Sequence, residues 1–98
     1  MTAVAHGDIE SLWQAHRAAD WPKGLASHEG ELMTLDTVIG GCVIYFLEEN
    51  RLDPQRAGML EGCLADLNGL MADLSDDAAA YFERLRVLGQ LLLTRPCS

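Results

Sequence analysis

Residues 52–77 read LDPQRAGMLEGCLADLNGLMADLSDD, and this stretch decides the fold class. Asp53 stands directly before Pro54, an N-cap carboxylate followed by a proline at the first helical position, where a missing N–H costs nothing. At the other end Ser75, Asp76 and Asp77 supply a second cap and two acids for the first turn of another helix. The sequence between them predicts a helix over 54–73.

At roughly 100° per residue, Leu60, Leu64, Leu67, Met71 and Leu74 share one face of that helix. Gly58, Gly62, Ala65, Gly69 and Ala72 occupy the opposite face. A surface helix normally carries a single apolar stripe. Glycine in a helix interior costs up to about 1 kcal/mol relative to alanine. Three at matched spacing therefore point to the close approach of another backbone. That backbone is either another helix of the same chain or a second copy.

Working outward, Asp8 caps a first helix predicted over 8–19, which the Trp21-Pro22-Lys23-Gly24 segment ends. A connector over 20–30 leads to a second helix over 31–49, with Asn50 suited to a left-handed terminating position. A fourth helix is expected over 76–94, before Pro96, followed by a tail at 95–98. Period-2 alternation and Asn-Gly or Asp-Gly turns are absent, so no strand competes. The reading is an all-α, four-helix, bundle-like single domain spanning 1–98.

Two helices carry more apolar surface than a four-helix domain of this size readily encloses. The second is apolar almost all round, through Leu32, Leu35, Val38, Ile39, Cys42, Val43 and Phe46, widened by Met33, Ile44, Tyr45 and Leu47. The fourth ends in Leu91-Leu92-Leu93. A two-fold homodimer is the simplest way to cover such surfaces. Gly58, Gly62, Ala65 and Gly69, or Leu91 and Leu92, are the expected contact.

Composition narrows the partners. The 98 residues hold 15 Asp and Glu against 7 Lys and Arg, a net charge of −8. Phosphate backbones and anionic membrane surfaces repel such a chain, which argues against nucleic-acid and membrane binding. The longest apolar run, Val38 to Leu47, is half the length of a bilayer span, so a soluble protein is expected. No basic and apolar leader pattern opens the sequence, and Cys42, Cys63 and Cys97 cannot all pair within one chain. A cytoplasmic protein with reduced thiols is the resulting expectation.

Between Arg56 and Arg84 the only charges are acidic: Glu61, Asp66, Asp73, Asp76, Asp77 and Glu83. They are either a solvated surface or a docking face for a basic protein. In size, helix number and acidity the chain resembles bacterial immunity proteins that inhibit basic nucleases. The resemblance is one of composition and class, and implies an inhibitor acting through this acidic stretch.

Motifs for chemistry are sparse. His6, His16 and His28 form no i, i+4 pair, the cysteines form no C-x-x-C, and neither phosphate-binding loops nor nucleophile elbows occur. No metal, cofactor or catalytic set is assigned. Asp36 stands out on the shoulder of the second helix's apolar face, beside Leu32, Gly40 and Val43. A buried carboxylate needs a partner, with Arg17, Arg51, Arg84 and Arg86 as candidates. His16 shares the apolar face of the first helix with Leu12 and Trp13. An enzyme or ligand-binding protein built on Asp36 would need a deep pocket joining it to His16 or a cysteine. The favoured expectation is a non-enzymatic protein–protein interaction module that self-associates.

Overall fold

Asp53 does at the start of the third helix what its position before Pro54 implies. In a computed structural model describing residues 6–23 and 25–94, its Oδ1 accepts from the Arg56 backbone N–H at 2.8 Å. Its Oδ2 accepts from Arg56 Nη1 at 2.7 Å. The Arg56 backbone N–H, followed by its guanidinium, holds the Asp53 carboxyl below its usual range. Four helices result: α1 (His6–Ala18), α2 (Glu29–Glu49), α3 (Pro54–Met71) and α4 (Asp76–Thr94). No strand occurs among the described residues, and the chain is an all-α four-helix domain. The expected tail at 95–98, with Cys97, lies outside the described residues.

The helix ends show where the expected bounds need correction: α1 starts at His6, so Asp8 lies in its first turn and does not cap it. A 3₁₀ turn over Ala26–His28 feeds directly into α2, which starts at Glu29. Trp21 Nε1 donates to Glu29 Oε2 at 3.1 Å, tying the connector to the first turn of α2. At the other end Asn50 takes the left-handed conformation, φ 61°, and its N–H bonds the Phe46 carbonyl at 2.7 Å. α3 stops at Met71, where Asp73 N–H reaches Leu70 O and Leu74 N–H reaches Met71 O, the tighter i→i+3 pattern of a terminating turn. At the start of α4 the Ser75 carbonyl accepts from the Ala78 and Ala79 amides at 3.1 and 3.2 Å, the first backbone bonds of the helix. Asp76 sits at φ 53°, a left-handed position costing about 1 kcal/mol for a side chain with a Cβ.

α4 is the hub. It packs against α1, α2 and α3, and buries Ala78, Tyr81, Phe82, Leu85, Leu88, Gly89 and Leu92. α3 turns Leu60, Leu64 and Leu67 toward it. A Cβ built on Gly89 would lie 2.8 Å from Leu64 Cδ2, so the two helices meet as closely as glycine allows. Gly40 has the same role between α1 and α2, where a Cβ would lie 3.1 Å from Trp13 Cη2. Trp21 closes the bundle edge-on to Tyr81 and Phe82, at 5.5 and 5.7 Å between ring centroids.

Two expectations need correction. Leu92 is only 3% exposed and belongs to the core, so it is not a contact surface for a second copy; Leu91 and Leu93 are half-buried against the same core. Apolar length was also underestimated from the longest unbroken run. α2 is long and apolar enough to cross a membrane, with a mean hydropathy of 1.4 over 18 residues, although here seven of its residues pack inside the bundle. Leu92→Glu is therefore expected to lower the unfolding free energy by about 3 kcal/mol or more, since it buries an unpaired charge. Urea unfolding checks this; a variant with wild-type stability would place Leu92 outside the core.

Candidate functional site

Every interior helical glycine needs an explanation, and the fold supplies one for only some of them. Gly40 and Gly89 are filled by Trp13 and Leu64. Gly58, Gly62 and Gly69 of α3 face open space, as do Gly30 and Gly41 of α2: a Cβ at any of them meets nothing within 4 Å, but only those of α3 line up on one face. Ala65 and Ala72 on the same face are exposed as well. Among the described residues no helix of the chain fills the space in front of the three glycines of α3.

Beside this face Met59 of α3 is 47% exposed, whereas the exposed Met33 and Ile44 of α2 lie about 100° or more around that helix from Tyr45, which faces α3. Between the two helices runs an open groove of about 600 Å³ with a mixed lining, Glu31, Thr34 and Leu35 of α2 and Ala65, Asp66, Gly69 and Leu70 of α3. Further along, the Arg56 guanidinium lies 3.9 Å over the Tyr45 ring, so a cation–π contact closes that end of the α2–α3 seam.

Acidic residues border this face without forming one cluster: Glu31 and Asp66 line the groove, and Glu61 lies on the opposite flank of α3. Glu61 and Asp66 are five positions apart and so about 140° apart around α3. Asp73 Oδ2 is 3.0 Å from His28 Nε2, which ties the end of α3 to the start of α2. Glu83 is engaged by Arg86 at 2.6 Å, and that hydrogen bond holds its carboxyl below the usual range. Glu61, Asp66, Asp76 and Asp77 are exposed and dispersed.

Asp36 and His16 do converge. His16 Nε2 lies 2.7 Å from Asp36 Oδ1, and the Tyr81 hydroxyl donates to Asp36 Oδ2 at 3.2 Å. A carboxylate only accepts, so Nε2 carries the proton and Nδ1 is left buried without a partner. One carboxylate thus joins α1, α2 and α4. None of the four arginines considered from sequence is its partner. Tyr81 was not foreseen, because its place in an aromatic run reads as plain core. His16 stacks on Trp13 at 5.8 Å and lies 4.4 Å from the Tyr81 ring.

The cluster is sealed at His16, whose side chain is 3% exposed, while the Asp36 side chain is 24% exposed. A second groove, about 640 Å³, opens nearby between Trp21, Lys23, Asp76, Tyr81 and Arg84, but His16 and Asp36 do not line it. Cys42 lies on the α3 side of α2, its thiol 4.0 Å from the Arg56 carbonyl. Burial pushes the thiols of Cys42 and Cys63 above their ordinary range, which keeps them protonated and slow as nucleophiles. Among the described residues no three His, Cys, Asp or Glu side chains come together as metal ligands.

No protein-family model, no curated protein and no solved structure matches the chain.

Burial, then the Asp36 charge and the hydrogen bond to it, push the Tyr81 hydroxyl from its ordinary 10 to about 12. The fold favours the neutral phenol, so the stabilisation is whole below pH 10 and is lost as pH rises through about 12. The advantage of wild type over Tyr81→Phe is expected to shrink by on the order of 2 kcal/mol across that window. Urea midpoints of both proteins between pH 9 and 12 measure it, and parallel curves would contradict the assignment.

Proposed function

We propose that the protein is a helical association module without catalysis of its own, and that it pairs with itself through the outer face of α3 and the adjoining edge of α2. One observation carries this reading: three glycines of α3 point at nothing. Relative to alanine they cost the isolated helix about 3 kcal/mol in total, and no close contact within the chain offsets that. A second helix lying on the face would, because only glycine and alanine let two backbones approach so closely. Membrane helices use the same spacing for that purpose.

The available area fits. The 18 residues of α3 span about 27 Å, and with the edge of α2 the strip is about 20 Å wide. Two such strips bury on the order of 1,000 Å², where specific interfaces begin. The buried state of His16 and the protonated thiols support the absence of catalysis. The scattered acidic residues favour a solubilising role over a single docking face for a basic protein.

Light scattering across micromolar concentrations is expected to show the mass rising from 10.7 kDa toward twice that value. Higher salt should shift the transition to lower concentration, since two copies at −8 repel each other; a complex with a basic partner would respond in the opposite sense. Gly62→Leu should remain monomeric yet be about 0.5–1 kcal/mol more stable to urea as a monomer, since leucine is the better helix former and the space is open. A wild type that stays monomeric throughout would refute self-association.

A further inference from the structure

The α2–α3 face carries a knob and a hole. Met59 projects from α3, 47% exposed, and the groove walled by Ala65 to Leu70 of α3 and by Thr34 and Leu35 of α2 is open for about 600 Å³. Both features lie on the side of α3 that faces α2 and outward. Along the helix, Met59 precedes a point between Cys63 and Leu64 by about four residues, and the middle of the groove wall follows that point by about four. The ground between them is symmetric about the same point. Gly58 and Gly69 are equidistant from it, and so are Gly62 and Ala65.

We infer that a second copy docks antiparallel on α3, related by a two-fold axis at the level of Cys63 and Leu64, with each Met59 seated in the α2–α3 groove of the other copy. This rests on the self-association proposed above and specifies its geometry. A two-fold axis perpendicular to an antiparallel helix pair keeps each flank of one helix beside the same flank of its copy. Knob and hole share one flank, so a single rotation seats both. The same rotation sets Gly58 against Gly69 of the second copy and Gly62 against Ala65, so no bulky side chain separates the backbones. Parallel pairing would instead set the two Met59 side chains at one level on opposite flanks and leave both grooves empty. Asp66 and its copy stand five residues apart along the axis, about 7.5 Å, with the intervening surface open to solvent. The interface area estimated above is at the lower end for a stable dimer, and two Met59 side chains seated against Leu35, Ala65 and Leu70, between Glu31 and Asp66, add to it.

Engineered single cysteines in the full chain carrying Cys63→Ser and Cys97→Ser test the register; Cys42 stays because its thiol is buried. In the antiparallel arrangement Gly62 lies about 4.5 Å along the axis from its own copy, as does Ala65, whereas Gly58 and Gly69 each lie about 16 Å from theirs. Disulfides need Cα atoms within about 7 Å. Under copper–phenanthroline oxidation, Gly62→Cys and Ala65→Cys should each give covalent dimers. Gly58→Cys and Gly69→Cys should fail alone and cross-link when mixed. Met59→Ala should raise the dimer dissociation constant about tenfold while Met33→Ala leaves it unchanged. Efficient self-cross-linking at all four positions would establish parallel pairing and overturn the inference. No cross-linking in a protein that light scattering shows to be dimeric would move the interface elsewhere, also overturning it but leaving self-association intact. A monomer by light scattering would remove both.

Discussion

The contact between α3 and α4 at Gly89 fixes the rest of the molecule. With Leu64 Cδ2 only 2.8 Å from where a Cβ would stand, α3 cannot turn about its axis without driving a leucine into α4. Leu60, Leu64 and Leu67 are therefore held inward, and whatever lies opposite them is held outward. Any large apolar side chain facing out would be a solubility hazard; in α3 the opposite face carries mostly glycine and alanine. The rotation of one helix thus turns a sequence pattern into a surface. Gly40 beneath Trp13 sets the seat of α1 on α2 by the same means.

A polar contact completes what packing begins. Asp36 accepts from His16 of α1 and Tyr81 of α4, so three helices share one half-buried carboxylate. Apolar contacts alone tolerate sliding, whereas hydrogen bonds of fixed length select one arrangement. The arrangement is imperfect, since His16 Nδ1 is buried and unpaired, a loss of about 1–3 kcal/mol. The polar atoms face one another across three helices, so the contact positions the bundle.

Much of this was legible in the sequence because it is local. Asp53-Pro54 and Asn50 mark helix ends through groups within four residues of each other, and both behave as their positions imply. The two faces of α3 follow from periodicity alone. What needed tertiary information was whether the small face is covered, since the rotation of α3 is set by Leu64 meeting Gly89, residues 25 positions apart. Leu91-Leu92-Leu93 misled for a related reason: three consecutive leucines carry no phase, and only packing assigns Leu92 inward. The pairing of Asp36 with His16 was within reach as two unusual polar residues on apolar helices. Tyr81 was not, because a tyrosine beside Phe82 announces only hydrophobic burial.

The central claim is that the filled glycines Gly40 and Gly89 belong to the fold and the three aligned open glycines of α3 to association. Backbone amide spectra of ¹⁵N-labelled protein through a dilution series from millimolar to low micromolar test it most directly, because each glycine reports separately. The amides of Gly58, Gly62 and Gly69 should shift with concentration along a common binding curve, while those of Gly40 and Gly89 stay fixed. Invariant positions at all five, or shifts confined to Gly40 and Gly89, would contradict the account.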